Sequence, residues 1–294
     1  AQNITKTYDG HTALNDLSLA IPEGSVYGLL GPNGAGKTTF IRIINQITAP
    51  DTGQILLNGS PLKRDDIYHI GYLPEERGLY KKMKVGEQLL YFSQLKGLEE
   101  KDAKAKIKAW LNKFEISDWY NKSVEDLSKG MQQKIQFIAT VINEPKLLIL
   151  DEPFSGFDPI NANLIKDEIL ELNKKGATII FSTHRMESVE ELCEYISLIN
   201  NSKVVLEGKL QEIKIQYKTG KIKVEGKGNL NISENFNIIK SNLGEYIIEK
   251  TSQISNSDLI KEITMQKYDI ESFLEIQPSI NDIFLEIVEE SNNE

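Results

Sequence analysis

The chain has 294 residues, 40% hydrophobic and 26% charged, with a net charge of −9; these proportions suit a folded globular protein and argue against disorder. The length suits one large α/β domain with a smaller appendage. The acidic balance speaks against a nucleic-acid partner, which needs clustered Lys and Arg, and no apolar run approaches the roughly 20 residues of a membrane-spanning helix.

The N-terminal AQNITKTYDG lacks the charged and apolar regions of a signal peptide, so a cytoplasmic location is expected. Asn15–Ile21 and Gln54–Asn58 read as strands of an antiparallel layer, bounded by Pro22, Gly24, Gly53 and Gly59. Between them the apolar Val26–Leu30 predicts the first parallel strand, and Thr39–Asn45 has the spacing of a buried helix. From Val85 to Phe114 apolar residues recur at three- and four-residue steps, the pattern of a helical insert that is expected to occupy about 78–145. The runs Leu147–Leu150 and Ala177–Phe181 flank a helical stretch, Asn163–Asn173, and this strand, helix, strand order predicts a parallel sheet covered on both faces. Tyr195–Asn200 and Lys203–Glu207 read as a hairpin that closes the first domain, 1–210. Beyond it, strand candidates at Lys221–Glu225, Phe236–Ile239, Tyr246–Glu249 and Ile270–Ile276 alternate with helices at Asp258–Met265 and after Ser279, a small α+β domain over 211–294.

The chemistry concentrates in the first domain. Gly31–Thr38, GPNGAGKT, fits the G-x-x-x-x-G-K-[ST] phosphate loop and lies between a strand and a helix. Its glycines let backbone N–H groups curl around phosphates at a helix N-terminus. The expected nucleotide-binding residues are Gly31, Asn33, Gly34, Ala35, Gly36, Lys37, Thr38 and Thr39. Lys37 is expected to reach the β- and γ-phosphates of ATP, and Thr38 to ligate Mg²⁺. Asp151 ends the buried run LLILDE, where parallel sheets bind ligands, and is a second candidate metal ligand. Strand alternation turns Glu152 to the other side, as the candidate general base for an attacking water.

His184 closes the strand TIIFSTH at the same sheet edge, where a neutral imidazole could bond the γ-phosphate or position water. His11 and His69 are read as inert, and the lone Cys193 as a packed small residue. Ser128 caps a predicted helix whose first amides, around Gly130, face outward. Tyr8, in an N-terminal turn, offers a flat face to adenine.

The order Tyr8, GPNGAGKTT, LSKGMQQK, LLILDEP, SGFD and STH closely resembles the nucleotide-binding subunit of an ATP-binding cassette transporter over about 1–210. The resemblance implies a phosphate-loop NTPase core, an ATPase acting as a two-fold dimer, and permease subunits encoded separately on the membrane. It further implies that Ser128 and Gly130 contact the ATP of the opposite subunit, that Ser155 and Asp158 line the dimer interface, and that Glu75 stands in the loop that senses Mg²⁺ and the membrane partner. Lys129 and Met131 replace the family's usual glycine and glutamine, and Glu75 its usual glutamine. GYLPEERGLY and the ending PSINDIFLEIV look like the branch of sodium-extrusion and drug or peptide resistance exporters, so the expected role is to power an exporter from the inner face of the membrane. The competing expectations are a soluble cassette protein working on ribosomes or DNA, and a low-turnover nucleotide-binding regulator.

Overall fold

The computed structural model describes residues 1–76, 78–231, 236–242, 244–250, 255–266 and 268–293. They divide into two compact units, Ala1–Leu210 and Gln211–Glu294.

The first unit is built on a six-stranded sheet in the order Lys203–Lys209, Tyr195–Asn200, Val26–Leu30, Thr178–Ser182, Leu147–Asp151, Ile70–Leu73. Neighbouring strands run parallel except for the edge pair Tyr195–Asn200 and Lys203–Lys209, which is antiparallel. Every residue of Val26–Leu30 is buried, as a strand with both faces covered requires. Leu29, Ile149 and Ile180 share one core with Phe40 and Ile41 of the helix Lys37–Ile44; each such side chain contributes about 1.5–3 kcal/mol by leaving water. The parallel arrangement sends the C-terminal ends of four adjacent strands to one edge, and the loops that follow them carry the candidate chemistry.

A second layer pairs Gln2–Tyr8 with His11–Leu17 on one side and Thr52–Gln54 on the other, all antiparallel. The expected strand Asn15–Ile21 instead lies earlier, at His11–Leu17, because pairing of Tyr8 with His11 across the Asp9–Gly10 turn sets the register. Tyr8 belongs to a strand end rather than a turn. The expected strand Gln54–Asn58 is divided, because Leu56–Leu57 turns back onto Ser60–Pro61.

The helical insert contains Val85–Leu95, Glu100–Lys113 and Lys129–Val141, so the continuous pattern 85–114 is two helices broken around Gly97. Lys113 straps the insert to the helix Pro159–Lys174, its Nζ lying 2.7 Å from Glu168 and 2.7 Å from Glu171. Ile70–Leu73 went unread because four residues are too few to show a period. Cys193 is buried, and burial raises its thiol pKa far above the usual range, as a packed thiol requires.

The second unit is a four-stranded antiparallel sheet in the order Phe236–Asn242, Glu245–Lys250, Lys221–Lys227, Asp269–Glu275. The helix Asn256–Met265 shares a core with it, Leu259 and Ile263 packing with Ile222, Val224 and Ile248. This helix and Ile280–Asn293 both start with a reciprocal Ser-x-x-Asp box, Ser255 with Asp258 and Ser279 with Asp282, which satisfies donors that a helix start leaves free. Among the described residues, no helix is long and apolar enough to cross a membrane.

Candidate functional site

The phosphate loop leaves the buried strand at Leu30 and enters the helix at Lys37. Gly31 and Gly36 hold φ of 144° and 117°, and a Cβ would meet Ile199 O at 2.1 Å and Ala13 O at 2.5 Å respectively. Only hydrogen fits there. The helix that follows has neither a side-chain cap nor an acid in its first turn, so its leading N–H groups and positive end stay available to an anion. Asn33, Gly34 and Thr38 are exposed, Thr39 is half-buried, and Ala35 packs inward.

Lys37 is 8% exposed, and its Nζ donates to Gly31 O at 2.8 Å and Pro32 O at 3.0 Å. Burial lowers its pKa from the usual lysine value, while the charges of Glu152, Asp151 and Glu75 oppose the shift. A single buried ammonium thus faces three carboxylates, and the site holds a strong local field.

Asp151 ends its strand opposite Ser182 and is 4% exposed. Burial raises its carboxyl pKa, with further upward pressure from Glu75 and Glu152 and relief from Lys37. Crowded carboxylates of this kind favour a cation. Among the described residues no cluster of three His, Cys, Asp or Glu forms a metal cage, so a divalent ion here depends also on hydroxyl and phosphate oxygens. The oxygens of Thr38, Asp151 and Glu75 are donors of the kind that suit Mg²⁺, and the glycine cradle with Lys37 fits a polyphosphate.

Glu152 departs from the expected alternation. The strand ends at Asp151, and Glu152 takes a left-handed backbone with φ of 49°, its N–H held by Ser182 O at 2.9 Å. This turn sends the carboxylate to the next strand end rather than across its own. Oε1 accepts the His184 backbone N–H at 2.8 Å and lies 2.7 Å from His184 Nδ1, while Oε2 accepts the Thr183 hydroxyl at 3.1 Å. The imidazole is 62% exposed against 11% for the glutamate. With Nδ1 donating to Glu152, Nε2 is an acceptor on a neutral ring and a donor to phosphate only on an imidazolium, a restriction absent from the sequence reading. His11 is exposed on the antiparallel layer, and His69 precedes the start of its strand at the opposite sheet edge.

The other half of the candidate site is open. Ser128 caps the helix Lys129–Val141 by accepting the Met131 N–H at 3.3 Å; Ser128 and Lys129 are exposed, and a Cβ at Gly130 would meet nothing within 4 Å. Asp158 caps Pro159–Lys174, accepting Asn161 N–H at 3.0 Å, and the backbone and side-chain donors of Asn161 hold its pKa below the ordinary carboxylate value. Tyr8 is 41% exposed, with Lys6 Nζ 5.3 Å from its ring centre.

Three glutamines of the helix Lys129–Val141 escaped the sequence reading. Gln132 donates to Val124 O at 3.1 Å and Leu127 O at 3.0 Å; Gln133 donates to Ser155 O. The buried Gln136 reaches Glu76 O at 3.1 Å and Pro74 O at 3.4 Å. The repeated glutamines of QQKIQ were the visible signal, since buried amides must find partners.

Residues 14–155 match the ABC transporter family, and residues 208–288 match the C-terminal domain of DrrA1-3-like ATP-binding proteins. The chain is 45% identical over 301 residues to the ABC transporter ATP-binding protein YhaQ of Bacillus subtilis, covering 97% of each. The chain belongs to the ATP-binding subunits of ABC transporters. Within this family it is also similar to NatA of Bacillus subtilis, at 37% identity over 68% of this chain and 83% of NatA. Linearmycin resistance ATP-binding protein LnrL of the same organism is 34% identical, over 71% of this chain and 68% of LnrL. A solved ATP-binding subunit of an ABC transporter superposes with a TM-score of 0.69 at 30% identity, covering 74% of this chain and 91% of that one. The α/β phosphate-loop core with its antiparallel layer is thus the fold of an ABC ATP-binding subunit.

Proposed function

We propose that this ABC ATP-binding subunit hydrolyses ATP and powers a separately encoded membrane exporter, working as a dimer of two such chains on the inner membrane face. The observation that carries the reading is the meeting of Lys37, Asp151, Glu152 and His184 at the ends of neighbouring parallel strands, beside a glycine cradle. Lys37 exchanges its loop carbonyls for the β- and γ-phosphate oxygens, a trade of neutral for charge-assisted bonds. Thr38, Asp151 and Glu75 would hold Mg²⁺, which would supply neutralisation of phosphate charge. Glu152 accepts the proton of the attacking water, and His184 holds that carboxylate through Nδ1 and its backbone N–H, its Nε2 donating to the γ-phosphate when the ring is an imidazolium. Tyr8 stacks on adenine, and Ser128, Gly130 and Asp158 approach the nucleotide of the partner subunit. The exporter role rests on the relatives whose names carry transport or resistance, LnrL and the lantibiotic transport ATP-binding protein SrtF of Streptococcus pyogenes.

The test is Mg²⁺-dependent phosphate release by the purified chain, expected on the order of 0.1 s⁻¹ or faster, together with recovery of a membrane subunit on affinity purification from its native source. Nucleotide binding with no release under any Mg²⁺ concentration, alone or with that membrane subunit, would overturn hydrolysis.

A further inference from the structure

We propose that Thr183 is a positioning residue that fixes the Glu152 carboxylate for its work on water, an inference that rests on the ATPase reading. Thr183 is 1% exposed and follows the last residue of the strand Thr178–Ser182. Its Oγ1 accepts the N–H of Arg185 at 3.0 Å and donates to Glu152 Oε2 at 3.1 Å.

A hydroxyl has one proton to give. Because the Arg185 N–H occupies a lone pair, the threonine proton is directed at the carboxylate. The other carboxylate oxygen is already taken by two groups of His184. Both oxygens are therefore fixed, and the terminal torsion of the glutamate, which is otherwise broad, is held in one orientation.

The left-handed turn at Glu152 makes this hold necessary. Its backbone at φ 49° brings the side chain to the neighbouring strand end, where the donors come from 183–184. The two strands pair in parallel, Asp151 opposite Ser182, which places the residue after each strand in reach of the other. A threonine at 183 also has its methyl group to fill the buried site, and its χ1 is stiff.

Removing the hydroxyl frees Oε2 while leaving the phosphate loop untouched. Loss of orientation at a base acts on the chemical step more than on substrate binding. Thr183→Val keeps the shape and deletes the donor; Thr183→Ser keeps the donor.

The experiment is steady-state ATP hydrolysis by the full chain, with the His184 backbone amide followed by NMR in nucleotide-free protein. In Thr183→Val, kcat is expected to fall about tenfold with KM for ATP within about twofold, and the His184 amide to shift toward its position in Glu152→Gln. Thr183→Ser is expected to restore both. Loss of the Arg185 turn alone would lower the melting temperature and spare kcat and the His184 amide, and that result overturns the assignment; so does a serine variant as impaired as valine. If the wild type releases no phosphate, alone or with its membrane subunit, the ATPase reading fails, while the amide still decides whether Thr183 holds the carboxylate: an amide unmoved in valine overturns it.

Discussion

The two halves of the candidate site are built to different standards. At the sheet edge, Lys37, Asp151 and the Thr183–Glu152–His184 set are buried or doubly hydrogen-bonded within one chain. At Ser128 and Lys129 the same chain leaves an exposed helix start with a single side-chain cap bond, from Met131 N–H to Ser128 Oγ. On the proposed reading, groups that serve the chain's own nucleotide are preorganised before binding, whereas groups that would serve a partner stay accessible. Preorganisation lowers the reorganisation needed at the reaction step; accessibility gives that up in exchange for control by association.

The comparison can be broken most decisively at Glu152. Glu152→Gln removes the base and keeps the shape, so turnover should fall by about 10²- to 10⁴-fold while ATP binding persists. Phosphate release measured beside nucleotide affinity checks it, and unchanged release would remove Glu152 from the chemistry. Next in size, Lys37→Ala should weaken ATP binding about 10- to 100-fold, read by titration calorimetry; undiminished affinity would mean that the buried ammonium serves only its loop carbonyls.

The open half is sharpened by Ser128→Asp. Aspartate caps a helix as well as serine does, so the melting temperature should stay within about 1–2 °C. Its charge would repel a phosphate from the partner, and ATP-driven dimerisation, followed by light scattering in the Glu152→Gln background, should weaken severalfold. Dimerisation as strong as in the parent would make the helix start an ordinary exposed cap.

The smallest effect concerns the strain of preorganisation itself. Burial raises the pKa of Asp151 in the folded chain. Between the unfolded carboxyl value and that raised value the folded state binds more protons than the unfolded state, so stability falls as pH rises through the window, and the penalty is complete above it. In Mg²⁺-free protein Asp151→Asn should therefore melt roughly 2–4 °C higher at neutral pH, with the gap closing as pH falls below the unfolded value. Thermal melts across pH measure it; a gap independent of pH would assign the effect to packing.

Much of this was legible in the chain. The phosphate loop, the buried runs ending in Asp151 and near His184, and the C-terminal unit's α+β alternation carried enough local pattern to place them. The boundaries of the first layer did not, because the hairpin register at Tyr8 and His11 comes from a turn, whereas Pro22 and Gly24 mark only where the apolar run stops. The direction of the Glu152 side chain escaped for a different reason: strand alternation holds only inside a strand, and one left-handed residue cancelled it. Thr183 and Gln136 were hidden because their partners lie 31 and 60 to 62 residues away, a distance no local period spans.

The grips of Gln132, Gln133 and Gln136 all close on main-chain oxygens, at Val124 and Leu127, Ser155, and Pro74 and Glu76. A main-chain oxygen is present whatever residue carries it. The three loops can therefore change their side chains, for a new membrane partner or a new cargo, without releasing the helix that holds them, provided the glutamines remain. Sequence drift in the loops and constancy in the helix would be the historical trace of that arrangement.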